Sequence, residues 1–201
     1  MFSYNENEKP DFKDYVNFNE VLNQSKLDET FKRFEFNHPI YILYSSGTTG
    51  KPKCITHGAG NVLIEHNKEF MLHCDIRDKQ KLFYYTTTGW MMWNWLVGSL
   101  FCKSSIVLYE GSPFYPGPEH LWKLAEKSEM DVFGTSAKYI DALSKSNVSP
   151  KAQFQLPNLR TICSTGSPLS PDSYDYILSN IKSDVQIASI SGGTDLLSCF
   201  V

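Results

Sequence analysis

Thr161-Ile162-Cys163-Ser164-Thr165-Gly166-Ser167-Pro168-Leu169-Ser170-Pro171-Asp172 holds a strand, a loop and a helix start in twelve consecutive positions. The β-branched and apolar residues Thr161 and Ile162, with Cys163, suit a buried strand. Gly166, Ser167 and Pro168 are turn formers. Ser170 can cap a helix through its hydroxyl, Pro171 suits the first helical position because its missing N–H would be unpaired there, and Asp172 favours the positive helix end. Beyond them Tyr174, Ile177, Leu178 and Ile181 share one helical face. A second apolar run, Val185 to Ile190, follows.

The same alternation extends in both directions. Short apolar runs lie at Tyr41–Tyr44, Leu82–Thr86, Ile106–Tyr109, Asp131–Gly134 and Leu159–Cys163, and longer helical patterns at Asn61–Leu72, Trp93–Phe101, Glu119–Ser128, Ala137–Lys145 and Pro171–Ile181. Strands interleaved with helices predict an α/β fold with a mostly parallel sheet layered with helices. Residues 1–36 read as a loose polar lead-in followed by one amphipathic helix from Asn19 to Phe34, carrying Val21, Leu22, Leu27, Phe31 and Phe34; residues 37–201 read as the domain proper. The Pro and Gly cluster 111–118 reads as a rigid surface loop.

Composition narrows the functional classes. The 201 residues carry 19 Lys plus Arg against 22 Asp plus Glu, a net charge of −3, so no strongly basic nucleic-acid surface is expected. Hydrophobic residues make up 41%, enough for a buried core. The five cysteines (Cys54, Cys74, Cys102, Cys163, Cys199) are scattered and form no C-x-x-C pair, which fits reduced thiols in the cytosol. The start lacks a signal-peptide layout, and the most apolar stretch, Trp90 to Cys102, is too short to span a bilayer. A soluble cytoplasmic protein is expected.

Three strand-like runs end in loops of Gly, Ser and Thr: Ser45–Lys53, Ser164–Pro168 and Ser191–Asp195. In open α/β sheets polar ligands sit at the carboxyl ends of strands, so the three loops are expected to line one cleft. The first, Ser45-Ser46-Gly47-Thr48-Thr49-Gly50-Lys51-Pro52-Lys53, gathers four hydroxyls, two glycines and two lysines in nine residues. Such a loop lets backbone N–H groups, hydroxyls and ammonium groups converge on phosphate. It is not a Walker A loop, which needs Gly at position 45 and Ser or Thr at position 52. Pro52 disfavours a helical Lys51, so a flexible clasp is expected rather than a helix start. In the third loop, Thr194-Asp195 puts a carboxylate at a candidate anion site, where Mg2+ could bridge it to phosphate; read alone, Asp195 is more often a helix N-cap.

Tyr44–Lys53 resembles the signature phosphate loop of the adenylate-forming superfamily. The segments Tyr84–Trp95, Ile162–Leu169 and Ala188–Asp195 extend that resemblance, most closely to the acetoacetyl-CoA synthetase family, from about Pro39 to the last residue. The resemblance implies part of the large domain of an AMP-forming ligase. Acetoacetate attacks the α-phosphorus of ATP to give an acyl-adenylate, and the thiol of coenzyme A then displaces AMP. It also implies residue roles. Ser45, Ser46, Gly47, Thr48, Thr49, Gly50, Lys51 and Lys53 would hold the β- and γ-phosphates, while Gly166, Ser167 and Pro168 would border adenine. Ser191, Gly192 and Gly193 would continue along the nucleotide. Thr194 would bond the α-phosphate and Asp195, where most relatives have Glu, would hold Mg2+; Thr194, Asp195 and Lys51 would be the catalytic groups. The run Trp90 to Trp95 would lie near the acyl pocket, with Trp90, Met91 and Met92 bordering it, although the residues alone better suit a helix core with Trp93, Val97 and Leu100 on one face. His57 is read as a structural or loop-positioning residue and is assigned no role.

The resemblance further implies that the start of the large domain, the ribose-binding Asp, the hinge and a small carboxyl-terminal domain with its Lys lie outside this chain. An inactive polypeptide with open strand edges, or one completed by a separate chain, is then expected. Other readings are another short-chain acyl-CoA synthetase, a non-catalytic nucleotide-binding fragment, or a degraded reading frame.

Overall fold

A computed structural model describes residues 16–24, 30–45 and 50–200. The chain divides into two units, Met1–Phe34 and Glu35–Val201. In the first, helix α1 covers Phe18–Gln24. The apolar spacing that predicts a helix through Phe34 is not realised: Thr30–Glu35 has no regular structure. A short helix persists in water mainly by burying its apolar stripe, and Val21, Leu22 and Phe31 stay 45%, 58% and 91% exposed. Leu27 lies outside the described residues.

The second unit opens with an antiparallel pair, β1 (Pro39–Ser45) and β2 (Lys53–Gly58), with Ser45 opposite Lys53. Helix α2 (Ala59–Lys68) continues from β2 and widens into a π-turn at Glu69–His73. Next come β3 (Lys81–Tyr84), α3 (Met91–Gly98), β4 (Ser105–Val107), α4 (His120–Ser128), β5 (Val132–Ser136), α5 (Ala137–Lys145), α6 (Pro150–Gln153), β6 (Thr161–Thr165), α7 (Pro171–Tyr176) and β7 (Gln186–Ser189). A small hairpin, β8 (Gly192–Gly193) and β9 (Ser198–Cys199), follows.

Strands β3 to β7 form one parallel sheet in the order β4-β3-β5-β6-β7. Period-two alternation along each strand sends residues to opposite faces. Phe83, Phe133 and Ile162 pack with α4 and α5 through Trp122, Ile140 and Leu143. Leu82, Tyr84, Val132 and Cys163 face the other way, against Phe70, Met92, Trp95 and Leu96. The result is a sheet layered with helices on both faces. The chain leaves β3 for β4 on one side and returns to β5 on the other, a change of direction that opens a crevice at the strand carboxyl ends.

Four further expectations change. β1 is not part of the parallel sheet but half of a hairpin, so the Ser45–Lys53 loop joins antiparallel strands. In α3 the buried face is Met92, Trp95 and Leu96, whereas Trp93 and Val97 are half-buried and Leu100 is 49% exposed. This helix has a single polar side chain, Asn94, among its eight residues, so periodicity does not select a face. Leu178 is 39% exposed because the helix widens into a π-turn at Ile177–Ile181 and rotates that position outward. The 3-10 turn Ser99–Cys102 ends α3 earlier than Phe101. All five cysteines are free thiols, and among the described residues no helix is long and apolar enough to cross a membrane.

Candidate functional site

A cavity of about 450 Å³ opens at the carboxyl ends of β6 and β7. One wall is Trp90, Met91, Met92 and Trp95, from the start of α3. The Trp90 ring stands edge-on to Tyr84, with centroids 6.1 Å apart, which fixes its angle at the strand-to-helix junction. The opposite wall is backbone-rich: Thr165 to Pro168 after β6, and Ser189 to Thr194 after β7. These two loops are tied together, since the Ile190 amide donates to Ser164 O at 2.7 Å and the Thr165 hydroxyl to Ile190 O at 3.0 Å. Gly166 sits at φ +90°, a conformation that disfavours any side chain, and its Cβ position is open space.

The structure thus brings together Trp90, Met91, Met92, Gly166, Ser167, Pro168, Ser191, Gly192, Gly193 and Thr194 around one space. Asp195 lies on the far side of the corner and lines a neighbouring cavity of about 630 Å³ with His57 and His66. In the first loop, Ser46, Gly47, Thr48 and Thr49 lie outside the described residues. Ser45 ends β1, while Gly50 and Lys51 are exposed at the hairpin tip and Lys53 begins β2. Among the described residues, the cleft is lined by the second and third of the three loops. Among the described residues, the hairpin of the first reaches the corner through His57, whose Nε2 donates to Thr194 O at 2.9 Å.

That corner is a tight turn closing the β8–β9 hairpin. Gly193 O accepts from the amides of Leu196 and Leu197 at 3.2 and 3.1 Å, and the Phe200 amide donates to Ser191 O at 2.8 Å. A second histidine holds it from below: His66 Nε2 donates to Leu197 O at 2.9 Å. The carbonyl can only accept, so the proton is on Nε2. Burial outweighs the Leu197 carbonyl, Glu65 and Glu69, and with a smaller push from His57 holds His66 below the usual imidazole range. Because the folded pKa is the lower one, unfolded His66 takes up its proton first as pH falls below about 6.5, and stability is lost progressively from there downward. His66→Gln is expected to flatten that decline, read as the difference in unfolding free energy between about pH 7.5 and about pH 5.5.

Sequence reasoning misses two cavity residues. Ser198 and Cys199 both contribute to the wall of the cavity that Trp90 lines. The Cys199 thiol donates to buried Glu69 Oε2 at 2.8 Å, while Glu69 Oε1 pairs with Lys68 Nζ at 3.0 Å. Burial, then the Glu69 hydrogen bond and charge, push the Cys199 thiol up to about 12, so it is a neutral donor and not a nucleophile. Nothing in the spacing of Glu69 and Cys199, 130 positions apart, signals the pair.

A hard cation fits the corner under one condition. Among the described residues no trio of His, Cys, Asp or Glu forms a ready-made metal cage. Asp195 offers one exposed carboxylate, and a Cβ on Gly193 would come within 2.5 Å of its Oδ1. One protein carboxylate beside a glycine-lined loop could hold a hard cation that takes its other ligands from phosphate oxygens. Lys51 and Lys53 form no ion pair among the described residues and are available to an anion.

Residues 4–195 match the family described as AMP-binding enzyme. The acetoacetyl-coenzyme A synthetase of Rhizobium meliloti (strain 1021) is 54% identical over 171 residues, 85% of this chain and 26% of that protein. Acetoacetyl-CoA synthetase of Gallus gallus is 50% identical over 171 residues, again 85% of this chain and 26% of the relative. Among solved structures, acetoacetyl-CoA synthetase from Streptomyces lividans superimposes with a TM-score of 0.85 at 43% identity, over 90% of this chain and 28% of that one. The chain spans about a quarter of the length of the curated relatives it matches. A parallel sheet carrying glycine-rich loops at its carboxyl edge, a family match over nearly every residue and relatives at half identity lead to one conclusion: this chain belongs to the AMP-binding enzymes.

Proposed function

We propose that this chain is the part of an AMP-forming acetoacetate–CoA ligase that grips the nucleotide and walls the acyl group. The observation that carries the reading is the cavity between Trp90–Trp95 and the Gly166 and Gly192 loops, ending at Thr194. One face is apolar and short, suited to a small acyl chain; the other is backbone and hydroxyl, suited to a nucleotide. Gly166, Ser167 and Pro168 border adenine, Ser191 to Gly193 run along the nucleotide, and Thr194 donates to the α-phosphate. Residues 45–53 hold the β- and γ-phosphates, with Lys51 and Lys53 supplying charge. Mg2+ held by Asp195 neutralises phosphate charge when bound. Adenylation needs no protein nucleophile, because acetoacetate itself attacks and the protein positions and neutralises.

Coenzyme A accepts the acyl group in the second half-reaction, at surfaces that the remainder of the enzyme supplies, whether on a longer polypeptide or as a separate chain. A cytosolic location suits the free thiols. A second reading is favoured by one relative, a malonamoyl-CoA synthetase of Penicillium aethiopicum that is 43% identical over 184 residues. Malonamate has the size of acetoacetate and shares its carbonyl at the third carbon, so the same cavity could serve either acid.

Calorimetry with Mg-ATP tests the reading. The wild-type chain is expected to bind Mg-ATP, and Thr194→Val to weaken it about tenfold, the loss of one hydrogen bond to a charged group. Asp195→Asn is expected to abolish the gain that Mg2+ gives over metal-free ATP. Equal affinity in wild type and Thr194→Val would remove the corner from the nucleotide site, and acyl-adenylate analogues of acetoacetate and malonamate rank the two acids.

A further inference from the structure

We propose that His57 is a positioning residue, holding the Thr194–Asp195 corner in register with the hairpin that carries Lys51 and Lys53. The proposal rests on the nucleotide reading of this site and adds a residue to it. His57 lies on β2, four positions after Lys53, in ladder register with Tyr41 of β1. At about 3.3 Å per residue the strand puts Lys53 roughly 13 Å along the same rigid ribbon. Its imidazole reaches across 137 positions of sequence to Thr194 O, at 2.9 Å. Among the described residues, this is a direct side-chain link between the two segments.

The bond also sets which way the corner peptide faces. A trans peptide points its carbonyl and its N–H in opposite directions. With Thr194 O held by His57, the Asp195 N–H points away from the imidazole. Without the imidazole this peptide can rotate, and a rotation would exchange a donor for an acceptor where an anion is to bind. His66 holds Leu197 O three residues further on, so the turn is gripped at two carbonyls from consecutive elements, β2 and α2. His66 is buried and Leu197 is 1% exposed, which makes that contact part of the core. His57 is half-buried and touches the residue that bears the phosphate contact.

Two variants and two readouts test this on the full 201-residue chain. His57→Leu keeps bulk but removes the donor; His57→Gln keeps an N–H at similar reach. His57→Leu is expected to weaken Mg-ATP about tenfold in calorimetry, to leave adenosine affinity within about twofold, and to speed amide exchange at Leu196 and Leu197, whose amides close the turn on Gly193 O. His57→Gln is expected to recover both readouts. In the wild-type chain, nitrogen-15 spectra should show the imidazole protonated at Nε2, an outcome independent of any variant's folding. Unchanged exchange in His57→Leu, a Gln variant no better than Leu, or an Nδ1-protonated imidazole each overturns the proposal. Failure of the wild-type chain to bind Mg-ATP would instead count against the nucleotide reading, with exchange and tautomer still deciding the role of His57.

Discussion

Trp122→Ala is expected to lower the unfolding free energy by about 3–5 kcal/mol, the range for emptying a large aromatic site in a packed core. Trp122 is fully buried on α4, and its ring stacks on Phe133 of β5 with centroids 4.3 Å apart and planes 17° apart. Phe133 in turn meets Phe83 at 5.1 Å and Tyr139 at 6.2 Å, so one indole supports an aromatic chain spanning β3, β5 and α5. Aromatic pairs add about 0.5–1.5 kcal/mol beyond the area they bury. Against a total stability of about 5–15 kcal/mol for ordinary proteins, the loss is a large fraction. Urea titration followed by circular dichroism measures it, with Trp122→Phe expected to retain more than half of the lost stability. A drop of less than about 1 kcal/mol would place the energetic centre of this layer elsewhere.

The largest effect on the site is expected from Gly192→Ala. A Cβ there would overlap the Ser198 carbonyl oxygen and stand 2.8 Å from Cys199 Cα. Both are backbone atoms of the paired strand and cannot rotate aside, so β8 and β9 must separate. Opening them releases the Phe200 amide from Ser191 O and the turn that carries Thr194 and Asp195. Mg-ATP affinity is expected to fall about 100-fold or more, since several aligned donors are displaced together. The sheet core should be little changed, because its packed residues belong to other elements. The readouts are calorimetry and amide exchange at Leu196 and Leu197; wild-type values in both would mean that the hairpin tolerates the methyl and that the corner is set by other contacts.

Much of the α/β layering is legible in local sequence because a strand buried on both faces reads as a short apolar run between helical patterns. Val132 packs on one face of the sheet and Phe133 on the other, so both positions are apolar. Helix α5 begins just after Ser136, whose hydroxyl accepts from the Tyr139 amide at 3.3 Å. Ser170 caps α7 in the same way, accepting from the Ser173 amide at 3.2 Å. Capping and alternation are interactions within a few residues, so the chain spells them out. Strand β2 escapes that reading. Cys54-Ile55-Thr56 has strand propensity, but its pairing with Leu43 and Tyr44 depends on the loop folding back, and a glycine-rich loop permits many outcomes. The buried side of α3 is hidden for another reason, since a helix with only Asn94 polar takes its orientation from the sheet beneath it.

By composition and motif alone the chain declares a reduced α/β protein with three small-residue loops fit for an anion, and names the residues in them. Tertiary structure alone decides that two of those loops share a cavity with Trp90 and Trp95, that Asp195 turns toward a neighbouring space, and that His57 and His66 grip the corner between. The physical reason is range: caps, turns and strand alternation act over a few residues and are encoded where they act. The two histidine contacts span 137 and 131 positions and exist only once the sheet has brought their carbonyls within reach.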